Sequence, residues 1–102
     1  MPSIEQLEKL LAATPGDPFV LYAIAQEHAK KKDVERAVEF FDRCLAADGA
    51  YCYAYFHKAR VLAGAGRTAE AVSVLNQGRE AAGRAGDGQA LNEISGFLYE
   101  LE

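Results

Sequence analysis

Leu21-Tyr22-Ala23-Ile24-Ala25-Gln26-Glu27-His28, followed by Ala37-Val38-Glu39-Phe40-Phe41, is the stretch that decides the fold. A shift of 34 residues lays it over a second copy. Ala25 falls on Ala59, Ala29 on Ala63, Ala37 on Ala71, Val38 on Val72, Ala47 on Ala81 and Gly49 on Gly83. Large apolar residues also meet each other, Leu21 on Tyr55 and Phe41 on Leu75. A period of this length, with helical spacing inside each unit, marks a repeat array. One such unit cannot bury its apolar face alone, so it stacks on its neighbours and leaves a curved surface free to hold something else.

Working outward, six helical segments and no strands are expected. The first runs from about Ile4 to Ala13, with Ser3 and Gln6 forming a capping-box pattern and Ile4, Leu7, Leu10 and Leu11 one apolar stripe. Thr14-Pro15-Gly16-Asp17-Pro18 stops it; Asp17 caps the second helix, about Pro18 to Lys31, with proline at its first position. Asp33 caps a third, about Val34 to Ala47, whose stripe is Ala37, Val38, Phe41, Cys44 and Leu45, and Gly49 suits a left-handed C-cap. The fourth is expected from about Tyr51 to Ala65. The fifth is expected to be capped by Thr68, with Ala71, Val72 and Leu75 inward, and to end in the loose break 83–88. The sixth, about Gln89 to Leu101, carries Leu91, Ile94, Leu98 and Leu101 on one face.

Composition agrees with one small globular domain: 102 residues, half of them hydrophobic and a quarter charged. The net charge of -4 argues against nucleic acid. The one basic run, Lys30-Lys31-Lys32, is followed by Asp33 and Glu35 and reads as a solvated turn. No stretch reaches the roughly 18 apolar residues a membrane span needs, and Met1-Pro2-Ser3-Ile4-Glu5 does not read as a signal peptide. Cys44 and Cys52 make no disulfide framework and match no zinc spacing. A reduced, cytoplasmic protein is expected, without membrane, nucleic acid, metal or cofactor.

The pattern Leu21-x-x-Ile24-Ala25-x-x-His28 then Ala37-x-x-x-Phe41, repeated as Tyr55-x-x-Lys58-Ala59-x-x-Leu62 then Ala71-x-x-x-Leu75, resembles the tetratricopeptide repeat signature. Ala25 and Ala37 are small where antiparallel helices approach closely; Phe41 and Leu75 are large where they fill the space between repeats. The resemblance implies an all-α fold of antiparallel helix-turn-helix repeats stacked as a short right-handed α-solenoid. It divides the chain into a leading helix (1–17), two repeats (18–51 and 52–85) and a C-terminal capping helix (86–102) displaced by two extra loop residues. Three positions depart from the pattern: Lys58 stands in the slot of Ile24, Gly78 in that of Cys44 and Arg79 in that of Leu45. The last two are expected to loosen the packing of the fifth helix on the tail.

By the same resemblance, the first helix of each repeat lines a concave face that holds partner peptides. Carried over by position, that lining is Phe19, Tyr22, Ala23, Gln26, Ala29 and Lys30, then Tyr53, Phe56, His57, Arg60 and Ala63. Aromatic anchors beside a few hydrogen-bonding groups suit a peptide groove, although aromatics at helical spacing equally suit a core. Tyr55 and Phe41 take repeat-packing slots and read as core. Tyr22, Tyr53 and Phe56 fall on the opposite face from Leu21 and Ile24 and read as groove. Some relatives clamp acidic chaperone tails with lysine, arginine and asparagine; the matching positions here hold Tyr22, Gln26, His57, Gln89 and Glu93, so that clamp is absent. His28 replaces a packing aromatic, Cys44 reads as core, and Cys52 begins a helix whose dipole would lower its pKa. No catalytic constellation can be assembled. A protein-interaction module that binds a peptide or helix is therefore expected; the alternative is a homo-oligomer formed through the apolar terminal helices.

Overall fold

The computed structural model describes residues 2–102. Its elements are α1 (Ile4–Ala13), α2 (Pro18–Lys30), α3 (Val34–Ala47), α4 (Cys52–Gly64), α5 (Thr68–Ala85) and α6 (Gly88–Leu101), with no strand among the described residues. The helix starts follow from local chemistry. Ser3 Oγ accepts from Gln6 N at 3.1 Å while Ser3 N donates to Gln6 Oε1 at 2.8 Å, closing the capping box. The Asp17 carboxylate accepts from Phe19 N at 2.9 Å, and Asp33 and Asp87 accept from Arg36 N and Ala90 N.

Three helices end in the same turn. Lys32, Gly66 and Gly86 take left-handed φ values of 60°, 80° and 68°. After each of them the next N–H reaches back five residues: Asp33 to His28 O, Arg67 to Leu62 O and Asp87 to Ala82 O, at 3.0, 2.9 and 3.0 Å. This closure satisfies carbonyls that the helix end leaves open.

Two contiguous cores result. One gathers Leu7, Val20, Leu21, Ile24, Ala25, Ala37, Phe40, Phe41, Cys44 and Ala54; the other gathers Cys52, Ala59, Leu62, Ala71, Val74, Leu75, Ala82, Ala90, Ile94 and Leu98. Ala25, Ala37, Ala59 and Ala71 are completely buried, as the close approach of paired helices demands. Each helix packs on the next in sequence; beyond those pairs, α2 also touches α4 and α4 touches α6. No such contact joins α1 to α3 or α3 to α5. The layer α2–α4–α6 therefore lies on the inside of the curve.

Several local expectations are corrected. Thr68 is the first residue of α5 and not its cap: Arg67 stands at the N-cap, its carbonyl accepting from Ala71 N and its guanidinium held by Glu70. Gly49 is not left-handed; α3 ends at Asp48 in extended backbone, whose carboxylate accepts from Ala50 N. The expected break at 83–88 is shorter, because α5 runs through Gly83 and one left-handed residue, Gly86, suffices to stop it. Leu10 leaves the α1 stripe and stands 52% exposed, since α1 packs on α2 alone.

Gly78 reverses its expected meaning. It is buried, and a Cβ there would stand 2.6 Å from Tyr55 Cβ and 3.2 Å from Ile94 Cδ1. The missing side chain tightens the α4–α5–α6 junction. Lys58 enters an apolar slot by extending its amine to Asp42 Oδ1 at 2.6 Å, which ties α4 to α3. Cys52 is buried too, and burial pushes its thiol up, outweighing the helix-start effect; its Sγ donates to Ala50 O.

Candidate functional site

The inner layer carries a ladder of rings. Tyr51 stacks at a tilt on Tyr22 with centroids 4.9 Å apart; Tyr22 meets His57 edge-on at 5.8 Å. His57 meets Phe56 at 5.3 Å, and Phe56 meets Phe97 of α6 at 5.5 Å. Tyr53 joins from the first turn of α4, 6.5 Å from Phe56. Helical spacing makes this possible: Tyr22 and Gln26 share one face of α2, and Phe56, His57 and Arg60 one face of α4. The rings are half-buried, with one side packed against the fold and the other open.

Two open grooves flank the ladder. The first, of about 570 Å³, lies chiefly between α2 and α4 and is lined by Gln26, Ala29, Lys30, Lys32, Val34, His57, Arg60, Val61, Gly64 and Ala65. The second, of about 380 Å³, lies between α4 and α6 and is lined by Phe56, Arg60, Asn92, Glu93, Gly96, Phe97 and Glu100. Arg60 forms part of both walls.

Protonation states follow from burial and neighbours. Burial, reinforced by Tyr51 and Cys44, pushes the Tyr22 phenol up to about 12, and its hydroxyl accepts from Gln26 Nε2 at 3.3 Å. The Glu93 carboxylate acting on the Tyr53 hydroxyl raises that phenol to about 12. Burial, aided by the Arg60 charge, holds His57 below the usual histidine range, so the imidazole is neutral at neutral pH. The face thus offers neutral hydrogen-bonding groups, exposed aromatic edges and a free guanidinium. No group of three or more His, Cys, Asp or Glu side chains among the described residues is placed to hold a metal.

Of the residues expected on this face, Tyr22, Gln26, Lys30, Phe56, His57 and Arg60 come together along the ladder and grooves, with Lys30 paired to Glu27 at 2.9 Å. Tyr53 sits at the edge through Phe56. Phe19 is 65% exposed and lines neither groove. Tyr22 belongs to the ladder but lines neither groove, and its other edge packs on the core, meeting Phe41 at 6.0 Å. Sequence reasoning missed Asn92, Gly96, Phe97 and Glu100. The signal was present: with the two extra loop residues counted, the offset from the second repeat is 36, which sets Asn92, Glu93, Gly96 and Phe97 on Phe56, His57, Arg60 and Val61. The two histidines have separate surroundings, His28 lying stacked on Phe40 at 5.6 Å.

A family model described as tetratricopeptide repeat matches residues 20–51. A TPR repeat-containing protein of Pseudomonas aeruginosa is 31% identical over 99 residues, covering 97% of this chain and 94% of that protein. The solution structure of a tetratricopeptide repeat domain protein from Salinibacter ruber superposes with a TM-score of 0.80 at 33% identity, covering 86% of this chain and 89% of that one. The TPR2B domain of yeast Sti1, solved in complex with pHsp70, superposes at 0.89 with 19% identity, covering 96% and 78%. At that identity the likeness is one of fold.

Proposed function

This chain belongs to the tetratricopeptide repeat family, and we propose that it is an interaction module holding a peptide or helix of a partner protein against the aromatic inner face of α2, α4 and α6. One observation carries the proposal: the half-open ladder Tyr22–His57–Phe56–Phe97 crosses three helices and is flanked by two grooves. Aromatic edges with a few hydrogen-bond donors anchor a segment at little entropic cost to the protein. The small groove-floor residues Ala29, Gly64 and Gly96 leave room for a partner backbone. The role is binding and not catalysis, in a reducing, cytoplasmic setting suited to the two free buried thiols.

The fold is shared with the Sti1 domain, but Tyr22, Gln26, His57, Gln89 and Glu93 supply none of the lysine, arginine and asparagine used to clamp chaperone tails, so the proposed partner is of another kind. Organisation as a leading helix (1–17), two repeats (18–51, 52–85) and a capping helix (86–102) belongs to the same proposal. Self-association through the terminal helices draws less support, because Leu7, Ile94 and Leu98 are already buried within the chain.

The test is partner capture by the intact chain against Gln26→Ala, Arg60→Ala and Phe97→Ala, each checked for helicity. Capture should fall while the helical signal stays. Tyr22→Ala is a poor probe, since its contact with Phe41 makes it part of the core. Undiminished capture by all three variants would remove the inner face as the binding surface.

A further inference from the structure

The two grooves differ in charge. The first carries Lys30, Lys32 and Arg60 with the neutral Gln26 and His57, and no carboxylate. The second carries Glu93 and Glu100, with Arg60 at its boundary. Lys30 is spent on Glu27 at 2.9 Å, and the Glu93 carboxylate stands beside the Tyr53 hydroxyl. Among the described residues Lys32, Arg60, Glu93 and Glu100 form no salt bridge, whereas Lys58–Asp42, Arg67–Glu35, Arg67–Glu70 and Arg84–Glu80 are paired away from the grooves. A single-sign polypeptide meets repulsion on one side of Arg60 whichever sign it bears.

Resting on the inner-face reading above, we infer that the groove selects a partner segment carrying both signs. A carboxylate lies over Arg60 and Lys32, an apolar side chain lies on Phe56 and Phe97, and a lysine or arginine lies over Glu93 and Glu100. The aromatic wall of the second groove supplies the apolar contact, and the charges fix which end of the segment lies over which groove. An acidic tail, a basic tail and an uncharged apolar helix all leave part of this surface unmatched.

The test is selection of a random displayed-peptide library on the intact protein, on Arg60→Glu and on the double variant Glu93→Lys/Glu100→Lys. All three substituted side chains are exposed, and circular dichroism checks the fold. The wild type should enrich peptides with an acidic and a basic residue flanking an apolar one by about fivefold or more over single-sign peptides, the fold-change of one exposed ion pair near the top of its range. Arg60→Glu should shift selection toward basic peptides, and the double variant toward acidic ones. Peptides whose charge pattern is unchanged across the three proteins, but which are lost on Phe97→Ala, would overturn this inference and leave the inner-face reading standing. Peptides blind to Phe97→Ala as well would overturn both.

Discussion

Two glycines in one helix should respond to alanine with opposite signs. Gly78 and Gly83 both lie in α5, where alanine is favoured over glycine by about 1 kcal/mol. At Gly83 nothing stands within 4 Å of the added Cβ, so Gly83→Ala should keep most of that gain. At Gly78 the same atom meets Tyr55 Cβ at 2.6 Å, Tyr55 Cγ at 3.0 Å and Ile94 Cδ1 at 3.2 Å. Carbon atoms rest about 3.5–4.0 Å apart, so the helices would have to part by about 1 Å. Tyr55 cannot swing clear: its Cβ is fixed to the α4 backbone, and its hydroxyl donates to Gly49 O at 3.0 Å. Overpacking of this kind costs about 1–3 kcal/mol, sometimes more, which outweighs the propensity gain. Thermal and urea unfolding followed by circular dichroism should show Gly78→Ala destabilised by up to about 2 kcal/mol and Gly83→Ala stabilised by up to about 1 kcal/mol. Tm should move about 4–8 °C for each kcal/mol. A Gly78→Ala protein as stable as Gly83→Ala would refute the close approach of α4 to α5.

Three further outcomes are expected. Phe41 is completely buried, and Phe41→Ala should cost about 3–5 kcal/mol in urea unfolding; a loss under about 1 kcal/mol would mean the slot is not packed. Lys32 holds φ 60° at the position Gly66 occupies in the next turn, so Lys32→Gly should raise stability by about 0.5–1 kcal/mol, and a fall in Tm would show that the side chain contributes more than the strain costs. The Tyr22 phenol is raised from 10.0 to about 12 by burial, so the unfolded chain loses that proton first as pH rises. Its contribution to stability is full below pH 10.0 and is lost on rising toward about 12. Urea midpoints across that range should decline more steeply in the wild type than in Tyr22→Phe, and equal slopes would contradict the shift.

Much of the fold was legible where its cause is local, although Thr68 and Gly49 were assigned caps they do not form. Ser3, Asp17 and Asp33 announce helix starts because a cap bonds backbone two or three residues away. The alanine slots at 25, 37, 59 and 71 repeat because each helix pair meets in the same way. Most of what else escaped has its cause elsewhere in the chain. Gly78 looked like a weakness until Tyr55, from another helix, was seen to fill the space. Cys52 sits at a helix start, but its surroundings are set by the core formed with α5 and α6. Counting the two extra loop residues places Glu93 of α6, but the same offset was not carried on to Asn92, Gly96 and Phe97, because α6 reads as a cap with one apolar stripe and not as a wall of the inner face. Tyr22 was expected to face a groove, and its packing on Phe41 went unread, since one ring has two edges and the sequence shows neither contact.

The most direct measurement is the map of backbone amide shifts in the isotope-labelled protein on addition of a peptide selected from the displayed library. The largest shifts should fall on Tyr22, Gln26, Phe56, His57, Arg60 and Phe97 along α2, α4 and α6. Shifts confined to α3 and α5, or centred on Leu10 and Tyr99 at the ends of the array, would contradict binding on the inner face.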